Sequence, residues 1–180
     1  MAECNAAKTL DNAVFEGYDT DVMTGDRDKR RYLYYQLIHS MRKADRIDII
    51  VSFLMESGVK MLLEELKKAM KRGAQVRILT GNYLGITQPS ALYLIKHELG
   101  ELVDLRFYNE KNRSFHPKSY IFHYADHSEI YIGSSNISRS ALTSGIEWNY
   151  RFSSHRDPEN YEKFYCTFED LFQNHSIVID

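Results

Sequence analysis

From residue 27 to residue 108 the chain alternates between a helical and a strand period, and this limits the possible folds more than any other feature. Leu33, Leu37, Ile38 and Met41 share one face of a helix expected over 27–44, with Arg and Lys residues flanking it. The run IDIIVSF at 47–53 is short, apolar and rich in β-branched residues, the pattern of a buried strand. Val59, Leu62, Leu63, Leu66 and Met70 line the inner face of a helix over 57–72, and Gly73 stops it. A strand over 75–80, a helix over 89–99 ending at Gly100 and a strand over 104–108 follow. An αβαβαβ order predicts helices packed on a mainly parallel sheet.

The second half changes character. Segments 118–123 and 129–132 are separated by a short polar turn and read as a hairpin. A short helical segment over 137–143, a strand over 146–152, a helix over 160–172 and an edge strand over 177–179 complete the order. Residues 1–26 read as an irregular arm with room for one short strand, and 27–180 as a single domain. A hydrophobic share of 43% and a charged share of 27% fit a soluble globular protein. No run approaches the ~20 apolar residues of a membrane helix, and no signal peptide is visible. Cys4 and Cys166 belong to no CxxC pattern and read as free thiols in a reducing compartment, so the cytoplasm is the expected location.

The net charge of −2 does not announce a nucleic-acid binder. Its distribution is uneven, however: Arg27 to Arg77 holds thirteen Lys or Arg against six Asp or Glu. Such a surplus is either a solvated helix face or a surface that meets phosphate.

The dense polar cluster lies between residues 113 and 149. His116 and Lys118, two apart on an expected strand, project from the same face. Gly133-Ser134-Ser135-Asn136 ends the next strand and offers hydroxyls, an amide and backbone N–H groups beside them, with Asn136 or Ser138 capping the helix that follows. Glu147, placed on the strand after that, is within reach of a histidine ring nitrogen. Together these make an anion site with a nucleophile. An imidazole attacks phosphorus once its tautomer is fixed, while Lys and Asn hold the non-bridging oxygens. No carboxylate cluster able to hold Mg²⁺ is evident, so the expected route needs neither metal nor cofactor. Each part has a plainer reading: His116-Pro117 as a turn, GSSN as a strand-to-helix connection, Glu147 as a partner of Arg151. It is the order and spacing that separate the two, since Asn136 follows Lys118 by eighteen residues and Glu147 follows Asn136 by eleven.

That ordered set resembles the HKD signature of the phospholipase D superfamily, HxKxxxxD followed by GSxN. Here it reads H-P-K-S-Y-I-F-H and then G-S-S-N, matching at His116, Lys118, Gly133, Ser134 and Asn136 and departing at the aspartate position, which is His123. Asp126 is close but out of register. In the nuclease branch a glutamate after the asparagine serves instead, and Glu147 stands in that place. Most of the chain, about 27–173, is also similar to the phospholipase-D-like domain found ahead of bacterial DEAD/DEAH-type helicase modules. Four segments carry this: SFLMESGVKMLLEELKKAMKRGAQVRILTG, NYLGITQPSALYLIKHELG, VDLRFYNEKNRSFHPKSYIF and IYIGSSNISRSALTSGIEWNY. No GxxxxGK[ST] loop occurs, so the chain itself carries no ATPase signature.

The resemblance implies an α/β/α sandwich around a mixed sheet and a metal-independent nuclease. Superfamily sites use two HxK motifs and this chain has one, which implies a homodimer with two copies of His116 meeting across a two-fold axis. His116, Lys118, Asn136 and Glu147 are then the catalytic residues, and Lys118, Ser134, Ser135 and Asn136 hold the phosphate. DNA is the expected partner, with a helicase module in a longer chain. A non-catalytic DNA-docking module is the rival reading. A phospholipid enzyme is the weaker one, for want of an interfacial helix with exposed Trp or Phe.

Overall fold

The computed structural model describes residues 20–26 and 32–180. Its elements run β1 (Val22–Met23), α1 (Leu33–Met41), β2 (Arg46–Val51), α2 (Glu56–Lys71), β3 (Gln75–Thr80), α3 (Pro89–Leu99), β4 (Val103–Tyr108), β5 (Lys118–His123), β6 (Ser128–Gly133), α4 (Arg139–Thr143), β7 (Asn149–Ser153), α5 (Pro158–Asn174) and β8 (Ser176–Val178). The strands form one eight-stranded sheet in the order β1-β7-β6-β5-β2-β3-β4-β8.

Alternation along β2 explains the layers. Ile47, Ile49 and Val51 point to one face, where they join Leu37 of α1, Leu62 and Leu66 of α2, Ile95 of α3 and Leu142 of α4 in the larger core. Ile50 points to the other face and joins Phe168 and Phe172 of α5 in the smaller one. Each of these fully buried side chains contributes roughly 1.5–3 kcal/mol by leaving water. Four helices therefore cover one face and α5 crosses the other, an α/β/α sandwich.

The parallel part of the sheet is β2–β3 and β3–β4, the strands joined through α2 and α3. The remaining pairings are antiparallel. β5 lies against β2 with Lys118 opposite Val51, the β5–β6 hairpin pairs Ser119 with Ile132, and β6 pairs Gly133 with Asn149 of β7. The expected hairpin thus sits near the middle of the sheet. β8 closes the far edge by pairing with β4. The short strand allowed for in the N-terminal arm is Val22–Met23, on β7; residues 1–19 lie outside the described residues.

Two boundaries differ from expectation by more than two residues, the others by two at most. The first helix, read over 27–44, is described from Leu33 and ends at Met41; residues 27–31 lie outside the described residues. It stops where the chain reverses toward β2. The Arg72 guanidinium takes the freed carbonyls of Met41 and Ala44 at 3.0 and 2.9 Å. β7 begins at Asn149 rather than at 146, because its partner β6 ends at Gly133 and leaves residues 146–148 no ladder to join. Among the described residues no helix is long and apolar enough to cross a membrane.

Candidate active site

The end of β2, the start of β5 and the facing ends of β6 and β7 lie side by side in the register just given, and the polar cluster gathers there. Ser52, buried one residue past β2, ties the pieces together. Its amide donates to Asn136 Oδ1 at 3.0 Å, its hydroxyl donates to the Pro117 carbonyl at 3.1 Å, and its carbonyl accepts the Tyr83 amide at 3.4 Å. Phe53 adds a second amide to Asn136 Oδ1 at 3.2 Å. The GSSN turn is also held from behind: the Met55 amide donates to the Ile137 carbonyl at 2.9 Å. A Cβ on Gly58 would lie 2.5 Å from the backbone of Ile137 and Ser138, so only glycine lets the first turn of α2 press on that turn.

Within this frame Asn136 has one job settled and one group to spare. Two amide donors fix its carbonyl oxygen, which also fixes which end is Oδ1. Among the described residues no acceptor takes Nδ2. Lys118 is buried, and its ammonium donates to the His116 carbonyl at 2.9 Å. Burial pushes its pKa below the ordinary lysine value, and the charge of Glu147 only partly offsets this. His116 stands outside β5, which starts only at Lys118, since Pro117 has no N–H to donate to a ladder. Its ring is exposed and packs on Tyr83 with centroids 4.2 Å apart. Desolvation lowers its pKa, and the neighbouring Lys118 charge lowers it further, so the imidazole favours the neutral, nucleophilic form.

The other expected site residues divide. Ser134 is exposed; its hydroxyl donates to the Glu147 carboxylate and accepts the Trp148 amide at 3.1 Å. Ser135, expected to touch phosphate, is fully buried. Its hydroxyl accepts from Asn149 Nδ2 at 2.9 Å and donates to the Ala141 carbonyl at 3.4 Å, so it braces the turn from inside. Glu147 lies in the turn before β7, not on a strand, and within one chain its carboxylate meets Ser134 rather than His116. Arg151 pairs with Asp21 at 3.2 Å rather than with Glu147. The α4 cap is Ser138, which accepts the Ala141 amide at 3.2 Å; Asn136 is committed elsewhere. Gly133 permits the close β6–β7 approach, since a Cβ there would fall 2.1 Å from the Trp148 carbonyl. Among the described residues no group of three His, Cys, Asp or Glu side chains is placed to hold a metal ion.

Residues 34–172 match the family profile described as cardiolipin synthase, PLD-like domain. The chain belongs to the phospholipase-D-like domain family. The domain's fold is shared with a phospholipase D family member, Nuc from Salmonella typhimurium, at a TM-score of 0.60 and 20% identity over 79% of this chain and 88% of that one. NucT from Helicobacter pylori is similar at a TM-score of 0.66 and 16% identity, covering 88% of this chain and 97% of that one. TrmBL2, an archaeal chromatin protein whose structure is described as showing a novel mode of DNA binding, matches at 0.51 and 14% over 83% of this chain and 51% of that one. A search of curated protein sequences finds no match.

In this PLD-like domain the residue at the usual aspartate position, His123, has a structural setting of its own. It lies five residues along β5 from Lys118, about 17 Å at the usual strand rise. It also points to the opposite face, under α5. There His123 Nε2 meets the buried Asp48 at 2.7 Å, and Arg77 grips the same carboxylate at 2.6 and 2.8 Å. Burial pushes the Asp48 carboxyl up in pKa, but the hydrogen bonds and charges of Arg77 and His123 outweigh it and the net value is lowered. Sequence reasoning passed over Asp48, Ser52 and Tyr83. Asp48 left a signal, a carboxylate inside an apolar strand that demands buried partners. Ser52 and Tyr83 left none, because a lone serine and a loop tyrosine carry no pattern, and their contacts run mostly through backbone groups and a ring across a loop.

Proposed function

We propose that this domain is a metal-independent phosphodiesterase that cleaves nucleic acid, DNA foremost, through a phosphohistidine formed in a homodimer. The observation that carries the reading is an exposed, neutral-leaning His116 beside a buried Lys118, next to an Asn136 whose only uncommitted group is a hydrogen-bond donor. His116 attacks phosphorus, the P–O bond to the leaving oxygen breaks, and a protonated His116 of the partner subunit supplies that oxygen with a proton. Water then cleaves the N–P bond with the two roles exchanged. Lys118 and Asn136 Nδ2 stabilise charge on the non-bridging oxygens, and Ser134 adds a hydroxyl. Glu147 adds negative charge near Lys118, and its orienting role is directed at the partner subunit's His116. The proposed setting, which the sequence resemblance implies, is a longer DNA-processing chain with a helicase module.

His116→Ala abolishes cleavage of single-stranded and duplex DNA while leaving DNA binding in place, because a nucleophile acts mainly in the transition state. Mixed dimers with one His116 are nearly inactive. A second reading, a non-catalytic DNA-docking module, is favoured by His123 at the aspartate position. Wild-type protein that binds DNA but cleaves no phosphodiester would select it, and turnover of liposomal phospholipid in place of DNA would move the substrate to lipid.

A further inference from the structure

The loops after β3 and β4 line a cleft of about 380 Å³. Tyr83 is part of its lining, and the Tyr83 ring is the one packed on His116 at 4.2 Å, so the cleft adjoins the imidazole. Phe107 and Phe115 line it as well, the latter stacked on Tyr108 with centroids 4.4 Å apart. Arg113, also in the lining, is exposed. Glu110, in the same lining, engages His175 and the Tyr108 hydroxyl.

The Tyr83 loop is held firmly. Gly85 and Ile86 amides return to the carbonyls of Asn82 and Tyr83 at 3.1 Å, and the Tyr83 amide is fastened to Ser52. Within it Leu84 sits at φ 53°, ψ 23°, with 78% of its surface in water. A branched side chain in the left-handed region, turned to solvent, contributes nothing to the core, and backbone strain of this kind gathers at ligand sites.

We propose that this cleft receives the nucleobase flanking the scissile phosphate, and that the base must be unstacked, so the substrate is a single strand or a frayed end. The inference rests on the phosphodiesterase reading above. Aromatic side chains in the lining offer π-faces to any base, and an exposed guanidinium beside them stacks on the same ring. The Glu110 carboxylate has the wrong sign for a phosphate, which leaves the phosphate at Lys118 and admits an uncharged ring here. A paired base inside a duplex reaches the cleft only by leaving its stack, at a cost of about a few kcal/mol.

Anisotropy titrations of the full chain with labelled thymidine pentamer, its fully abasic analogue and a blunt 12-mer duplex test this. Wild type binds the pentamer roughly five- to a hundredfold more tightly than the abasic chain, the ratio expected of one stacked base, and more tightly than the duplex. Tyr83→Ala and, as a second variant, Phe107→Ala bring the intact and abasic affinities together. Equal wild-type affinities, or a ratio that survives both variants, overturn the proposal. A ratio lost only in Trp148→Ala also overturns it, by placing the base on the other rim of the site. Cleavage is scored separately. A preserved base preference with no turnover sinks the enzyme and keeps the cleft, whereas turnover without base preference does the reverse.

Discussion

Asn136→Asp separates two roles that alanine would remove together. The carbonyl oxygen of Asn136 accepts the amides of Ser52 and Phe53 at 3.0 and 3.2 Å, and the residue is 5% exposed. In Asn136→Ala the buried Ser52 N–H and the partly buried Phe53 N–H lose their acceptor. At about 1–3 kcal/mol for the first and about 1 kcal/mol for the second, the fold loses about 2–4 kcal/mol. A chain of this size melts about 2–4 °C lower per kcal/mol, so the midpoint falls by roughly 5–15 °C. Asn136→Asp keeps an oxygen on both amides, now as charge-assisted acceptors. Its stability stays within about 1 kcal/mol of wild type. What disappears is the Nδ2 donor, replaced by a negative oxygen where the proposed mechanism puts a phosphate. Two unit charges 4 Å apart at an effective dielectric of 20 repel by about 4 kcal/mol, so anion affinity and turnover fall at least about a hundredfold. Thermal unfolding by circular dichroism, with calorimetric titration of inorganic phosphate and a short oligonucleotide, reads both effects. An aspartate variant that melts as low as alanine, or binds like wild type, refutes this division of labour.

Three further outcomes follow from the same geometry. Because the His116 pKa is lowered, the acid limb of kcat/KM lies below the ordinary histidine value of about 6.5; an acid limb above it contradicts the assigned environment. The folded Asp48 pKa is depressed, so its contribution is fully present above the unfolded value of about 3.9 and is lost as pH falls through the folded one. Urea unfolding of Asp48→Asn should therefore show a loss of about 3 kcal/mol at pH 7 that shrinks toward pH 3, and a pH-independent loss would refute the linkage. Gly133→Ala forces a Cβ to within 2.1 Å of the Trp148 carbonyl; lowered melting with weakened activity is expected, and a neutral result would mean β6 and β7 do not approach as described.

Much of the fold was written in hydrophobic period. The strand at 75–80 and the helix at 89–99 need only their own residues and the stops at Gly73, Pro89 and Gly100, and they stand where expected. Ends governed by a partner were not legible. β7 starts at Asn149 because β6 stops, a fact held in another strand. At the site, the pattern picked out His116, Lys118, Ser134 and Asn136, whose residue types advertise their chemistry. It could not tell Ser134 from Ser135, since two adjacent serines look alike until one is turned inward against Asn149. Nor could it tell that Glu147 meets Ser134 rather than a histidine of its own chain, because a turn replaces the expected strand.

Ser52 has a consequence for motion. Its amide, hydroxyl and carbonyl each hold a different segment: the Asn136 turn, the Pro117 approach to β5 and the Tyr83 loop. Segments so joined do not breathe independently, since releasing one strips a buried residue of a partner it shares with the other two. This end of the sheet is therefore expected to open as a single cooperative unit. The amides of residues 52, 53 and 83 exchange with solvent deuterium at a common rate, and a ligand on any one of the three segments slows all of them together.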